Sequence, residues 1–166
     1  TYQAYQGFYL LSGGEYRKIV DYDDVLKEII ALAREHGLII FADEIYDKTL
    51  FDGEKHTSIG ALSTDVVTVT FNGLSKNYRA CGYRVGWVAF SGDRENARDY
   101  LHAVELVASL RLCANVPGQW AVQTALGGYQ SILELTSQGG RLFQARQAVI
   151  DGVNNIFVYK FGLFNI

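Results

Sequence analysis

The stretch that decides the fold is GLIIFADEIYDKTLF at residues 37–51, followed by VVTVTFNGLSKNYRACGYRVGW at residues 66–87. It holds two short apolar runs, Leu38–Ala42 and Val66–Phe71, both rich in branched or aromatic side chains and both ending where polar residues begin. Runs of that length and composition predict buried strands rather than helices. Near-continuous apolar strands are those of a parallel sheet covered on both faces. In an open α/β sheet, ligands bind beyond the carboxyl ends of the strands, where this chain carries Asp43, Tyr46, Ser75, Lys76 and, a little later, Arg84. An acid, a phenol, a hydroxyl, an amine and a guanidinium are therefore expected to converge on one crevice.

Working outward, Asp21 to His36 predicts an amphipathic helix. Asp21, Asp23 and Asp24 suit its start, Val25, Ile29, Leu32 and Ala33 recur on one face, and Gly37 suits its end. Residues 47–65 form a polar connection read as a solvated loop with a short helix, in which His56 receives no role. A third apolar run, Trp87–Phe90, follows the second so closely that no crossover fits, so it must pair antiparallel or lie at the sheet edge. Beyond Asp93, helices are predicted over Ala97–Leu112, Gln119–Leu126 and Arg141–Val153, with glycine pairs at 127–128 and 139–140 as breaks. Upstream, Gly7–Leu11 reads as a strand and SGGEYRK as a turn, and the ending IFVYKFGLFNI reads as an aromatic strand. The alternation of strand and helix predicts an α/β fold, three layers with a mostly parallel sheet and flanking helices.

The 166 residues are 49% apolar, enough to bury a core, and the net charge of −3 comes with no basic stripe of the kind that binds nucleic acid. No apolar run reaches membrane-spanning length, and the start lacks the basic region of a secretory signal, so a cytoplasmic protein is expected. Cys81 and Cys113 lie far apart without metal-ligand spacing and are read as small buried hydrophobes.

Taken alone, an aspartate at a strand end is a cap or loop acid, and a lysine is solvated. Together the residues suggest more. A lysine partly buried beside a second cation such as Arg84 loses its proton more readily and can form an imine. An acid such as Asp43 can keep a pyridinium nitrogen protonated, and a lysine Schiff base with that acidic partner is the recurring arrangement for pyridoxal 5'-phosphate (PLP). Tyr46 can hydrogen-bond the ring hydroxyl, with Ser75 and Arg84 on the phosphate. A nucleotide-binding reading of LIIFADE fails for want of a glycine-rich loop ending in Gly-Lys-Ser/Thr.

These residues carry a resemblance. FADEIYDKTLF followed by TFNGLSKNYRACGYRVGW resembles the class I/II aminotransferases of PLP fold type I, in the branch that contains alanine aminotransferases. The family pattern is a strand ending in Asp with Tyr three residues on, then Ser-Lys, then Gly-x-Arg-x-Gly; it is met at Asp43, Tyr46, Ser75, Lys76, Gly82, Arg84 and Gly86. SLRLCANVPGQWAVQTALGGYQS, residues 109–131, is also similar to that branch. The resemblance implies that Lys76 forms the internal aldimine and shuttles a proton, that Asp43 pairs with the pyridine nitrogen and Tyr46 with its O3′, and that Ser75 and Arg84 bind the phosphate. It implies a PLP-dependent transaminase exchanging an amino group between an amino acid and a 2-oxo acid, alanine with 2-oxoglutarate first. It also implies a homodimer in the full-length family.

Family members are much longer. Residues 1–166 are accordingly read as a single incomplete α/β domain, the central part of a PLP-transferase large domain, with 1–20 and 154–166 departing from the family. SGGEYRK stands where the family has an Asn-Pro-x-Asn-Pro-Thr-Gly turn, and the upstream phosphate loop and the arginine that grips the substrate carboxylate have no counterpart here. Because such catalysis depends on a preorganised site, the isolated chain is expected to bind PLP weakly and to transaminate poorly. The alternative is a non-catalytic truncated remnant.

Overall fold

Asp23 and Asp24 in the first turn and Arg34 in the last complement the dipole of helix α1, Tyr22–Glu35. Its end is a Schellman turn: Gly37 takes a left-handed φ of 60°, the Leu38 N–H donates to the Ala33 carbonyl at 2.8 Å, and the Gly37 N–H to that of Arg34 at 3.4 Å. This reversal feeds the chain directly into the strand Ile40–Asp43. The computed structural model describes residues 9–12, 15–18 and 22–161, and side chains over 22–153.

Strands β1 (Tyr9–Ser12) and β2 (Glu15–Lys18) form an antiparallel hairpin, so EYRK is strand rather than turn; residues 7, 8, 13 and 14 lie outside the described residues. The main sheet has the order β3 (Ile40–Asp43), β4 (Thr68–Gly73), β5 (Gly86–Ser91). β3 and β4 are parallel, and β5 returns antiparallel at the edge, as the short connection requires. The 47–65 loop does carry a short helical turn, a 3₁₀ segment at Ile59–Ala61. Helices α2 (Arg98–Arg111) and α3 (Val116–Gly127) match the apolar periodicity, α3 being capped by Asn115 with Pro117 in its first turn. Helix α4 (Ile132–Thr136) is too short to show a period. Helix α5 (Arg141–Phe161) runs through residues expected to form the last strand, because no proline or glycine interrupts 153–161; residues 162–166 lie outside the described residues.

Against one face of the sheet, Leu26, Ile30 and Ala33 of α1 pack with Ile59 and Val66, flanked by Tyr22, Ile40, Ala42 and Leu62. Of the face expected to be buried, Ala33 is, but Ile29 is 41% and Leu32 55% exposed, and Leu26 and Ile30 are buried in their place. Positions 25-29-32 and 26-30-33 are both valid helical stripes in a segment apolar on either side, so periodicity does not choose between them. On the other face Phe41 and Phe71 stack with centroids 6.0 Å apart, and Tyr100 of α2 meets Phe41 edge-on at 6.4 Å. Cover there is thin, since Phe41 stays 58% exposed and α2 buries no residue. Both cysteines are exposed free thiols, not the buried hydrophobes expected, because Cys81 sits in a surface 3₁₀ turn and Cys113 in the α2–α3 link.

Two charge clamps tie loops to this frame. Arg34 grips Asp65 through Nε at 2.6 Å and Nη2 at 2.9 Å. Glu44, buried just past β3, accepts from the Ile59 N–H at 3.1 Å and lies 3.0 Å from His56 Nε2. A carboxylate only accepts, so Nε2 carries the proton. Burial pushes the Glu44 carboxyl up, but hydrogen bonds from His56 and Ser58, with the His56 charge and the Ile59 amide, outweigh it and hold the group below the ordinary value of 4.5. The Asp65 carboxyl is held far below its usual range by hydrogen bonds from Arg34 and Ser63.

Two outcomes follow from these contacts. In urea unfolding, Ile30→Ala should lose about 2–5 kcal/mol while Leu32→Ala changes stability by no more than about 0.5 kcal/mol; equal losses contradict the assigned face. Carboxyls with lowered folded-state pKa values stabilise the fold above their unfolded values, and that contribution disappears as pH falls through the folded ones. The melting temperature should therefore drop below about pH 5, and Glu44→Gln, less stable near neutrality, should show a shallower drop. A slope unchanged by Glu44→Gln contradicts a role for its charge.

Candidate functional site

Three strand ends meet at one edge of the sheet because of how the strands pair. β3 and β4 run parallel with Asp43 opposite Phe71, so both deliver their carboxyl ends to the same side, and β5 begins there because Gly86 lies opposite Gly73. Residues 43–46, 74–76 and 84 are thereby gathered. The two glycines allow this closeness: a Cβ on Gly86 would stand 2.8 Å from the Asn72 carbonyl, and one on Gly73 3.0 Å from that of Val85. The Leu74 N–H then donates to the Val85 carbonyl at 3.1 Å, which sets Ser75 and Arg84 on either side of one backbone bond.

Around this edge the turns are held from beneath. Asn72 Nδ2 donates to the Glu44 carbonyl at 3.0 Å, and the Glu44 N–H to the Phe71 carbonyl at 3.0 Å, joining the ends of β3 and β4. Lys76 stands between two anchors, Leu74 at 1% and Asn77 at 2% exposure. Asn77 donates to Asp47 and accepts from Thr49 Oγ1 at 2.9 Å. Lys48 donates to the Tyr78 hydroxyl at 2.9 Å and to Gln130 at 2.8 Å, fastening the same turn to the segment after α3.

The five residues singled out in the sequence all lie along this edge, but they are not equally engaged. Lys76 Nζ stands 5.9 Å from the centroid of the Tyr46 ring, so these two are brought together. Asp43 is exposed, with Oδ1 accepting from the Ile45 N–H at 3.2 Å. Ser75 is half-buried. Arg84 takes a left-handed φ of 51°, and its Nη1 donates to the Cys81 carbonyl at 2.9 Å, so its guanidinium is turned onto its own 3₁₀ turn. Cation, phenol and acid at one strand edge can hold a planar, anionic ring compound.

A cleft of about 1000 Å³ opens elsewhere, between the 47–56 loop and α4–α5, lined by Lys48, Phe51, Lys55, His56, Leu133 and Phe143 among others. None of the five edge residues lines it. Sequence reasoning passed over Asn72, Asn77, Glu44 and His56, the groups that hold the edge. Lone polar residues in loops have no period to reveal them, although the acidic residue directly after Asp43, on the opposite side of the strand by alternation, was a readable sign.

The sequence matches the family described as "Aminotransferase class I and II" over residues 23–164. It is 53% identical over 133 residues to the glutamate-pyruvate aminotransferase AlaA of Escherichia coli K12, covering 80% of this chain and 33% of that protein. It is 47% identical to the alanine aminotransferase of Mycobacterium tuberculosis, over 80% of this chain and 31% of that one. Among solved structures, an aminotransferase from Escherichia coli superimposes with a TM-score of 0.74 at 55% identity, covering 77% of this chain and 32% of that chain. The alanine aminotransferase of Pyrococcus furiosus gives 0.63 at 34% identity, covering 69% and 30%. The chain spans about a third of the length of the relatives it matches. The family match over residues 23–164 and the likeness to these relatives show that the chain belongs to the class I and II aminotransferase family.

Proposed function

We propose that the edge formed by Asp43, Tyr46, Ser75, Lys76 and Arg84 binds pyridoxal 5'-phosphate and serves transfer of an amino group between an amino acid and a 2-oxo acid. The observation that carries this is the approach of Lys76 Nζ to the Tyr46 ring, 5.9 Å from its centroid, at the ends of strands that also deliver Asp43. The donor set suits the group: an amine for its aldehyde, an acid for its ring nitrogen, a phenol for its ring oxygen, a hydroxyl and a guanidinium for its phosphate. When bound, the cofactor supplies an electron sink that eases loss of a proton from the substrate α-carbon. Lys76 holds the cofactor and, once released, moves that proton, while Asp43 keeps the ring nitrogen charged. The relatives named for glutamate–pyruvate and alanine transamination favour alanine and 2-oxoglutarate as the substrate pair.

On this reading the 166 residues are one incomplete α/β domain, central to a larger cytoplasmic homodimeric enzyme. The outward apolar residues of α2, Val107 and Leu110, provide a face for the rest of that assembly. Among the described residues no helix is long and apolar enough to cross a membrane. A second reading, a remnant with little or no cofactor binding, is favoured by the exposure of Asp43 and Lys76 and by Arg84 lying on Cys81. The isolated chain is accordingly expected to bind weakly.

Titration with PLP should raise a visible absorbance band that Lys76→Ala abolishes. Arg84→Ala should weaken binding about tenfold or more, as befits a charged hydrogen-bond partner, and Tyr46→Phe by less. A band indifferent to Lys76→Ala overturns the assignment. Turnover of alanine and 2-oxoglutarate by this chain at the ~1–10³ s⁻¹ of ordinary enzymes overturns the expectation of weak activity.

A further inference from the structure

We propose that Glu44 and His56 act as a positioning pair that aims Asp43 and Tyr46 at the cofactor, so that His56, 13 residues beyond Asp43 in the chain and outside the site, controls how well the site binds. The inference rests on the cofactor reading above. Its basis is where Glu44 stands.

Asp43 itself is exposed, and the hydrogen bond it makes to the Ile45 N–H is local, so its direction follows the backbone of the turn that starts there. Glu44 fixes that turn from several sides. Its N–H donates to the Phe71 carbonyl at 3.0 Å, and its carbonyl accepts from Asn72 Nδ2 at 3.0 Å and from the Asp47 N–H at 3.0 Å. Its side chain points away from Asp43 into the packed face, where Oε1 takes the Ile59 N–H at 3.1 Å and Oε2 faces His56 Nε2 at 3.0 Å. The two side chains are 10% and 12% exposed. One residue thus joins the end of β3, the end of β4 and the 3₁₀ segment that packs under the sheet.

A carboxylate this far from water is stable there while its partners remain. Without the His56 donor, Glu44 keeps Ser58 and the Ile59 N–H but loses a partner at Oε2, so it takes up a proton more readily or turns that oxygen toward solvent. Either response loosens the turn, and Asp43 and Tyr46 move with it. A pair that merely stabilised the loop would change the fraction folded and leave the cofactor's surroundings alone in the molecules that remain folded. The two roles therefore differ in what a spectrum of the bound cofactor reports.

The test uses the full chain with added PLP, reading the Lys76-dependent absorbance band, its pH midpoint and the cofactor affinity, with circular dichroism as the measure of folding. His56→Ala is expected to weaken binding about tenfold and to move the midpoint by about half a pH unit or more. His56→Gln, which keeps an N–H donor near the place of Nε2, is expected to restore both to within about twofold of the parent affinity. Folded His56→Ala protein with unchanged affinity and midpoint overturns the proposal, as does a loss of affinity matched by the loss of folded protein. Should His56→Ala fail to fold, Glu44→Gln carries the same test, and an unmoved midpoint there overturns it. Absence of any Lys76-dependent band in the parent chain overturns the cofactor reading together with this one.

Discussion

Three strand ends pair at one edge of the sheet, and that pairing places every residue above it. Asp43 lies opposite Phe71 in a parallel pair, and Gly73 opposite Gly86 in an antiparallel one, so the chain arrives at the same place three times. Closeness at the second pair requires residues without Cβ atoms, and side chains there would meet backbone oxygens. Given that closure, the distance in sequence between Asp43 and Lys76 ceases to matter. The Tyr46 ring and the Lys76 amine meet because the strands beneath them do.

What supports this edge is mostly polar and mostly out of sight. Asn72 bridges two strand ends, Asn77 is buried beside Lys76 with Asp47 and Thr49 as partners, and Glu44 is buried with His56. Buried polar groups of this kind cost stability unless every partner is present, and when satisfied they admit little variation in geometry. The side chains proposed to take the cofactor stand on the outside of this scaffold, with Asp43, Lys76 and Arg84 all exposed. Functional groups held by rigid supports and left open to a ligand are what a binding edge requires.

Much of this was legible in the residues. Short apolar runs marked β3 and β4, the brief connection after Arg84 made β5 antiparallel, and the Asp–Tyr, Ser-Lys and Gly-x-Arg-x-Gly pattern carried the family likeness later found over residues 23–164. Where the reading missed, the physics explains it. The α1 segment is apolar on two overlapping stripes, so only packing against Ile59 and Val66 selects Leu26, Ile30 and Ala33. The aromatic end of the chain looked like a strand, yet nothing in 153–161 stops helix α5. Cys81 and Cys113 lie in exposed turns, where residue type gives poor guidance to burial. The Glu44–His56 pair spans 12 residues of loop, and such a contact has no periodic signature.

Everything proposed for this edge turns on Lys76 being the amine that takes the cofactor. The most direct measurement is borohydride reduction of the chain in the presence of PLP, followed by proteolysis and mass spectrometry of the modified peptides. The phosphopyridoxyl label should accumulate on Lys76 ahead of the exposed Lys27 and Lys55, and do so at cofactor concentrations where those remain unlabelled. Label spread evenly across the lysines, or absent from Lys76, would contradict it and leave the edge a well-built scaffold without its chemistry.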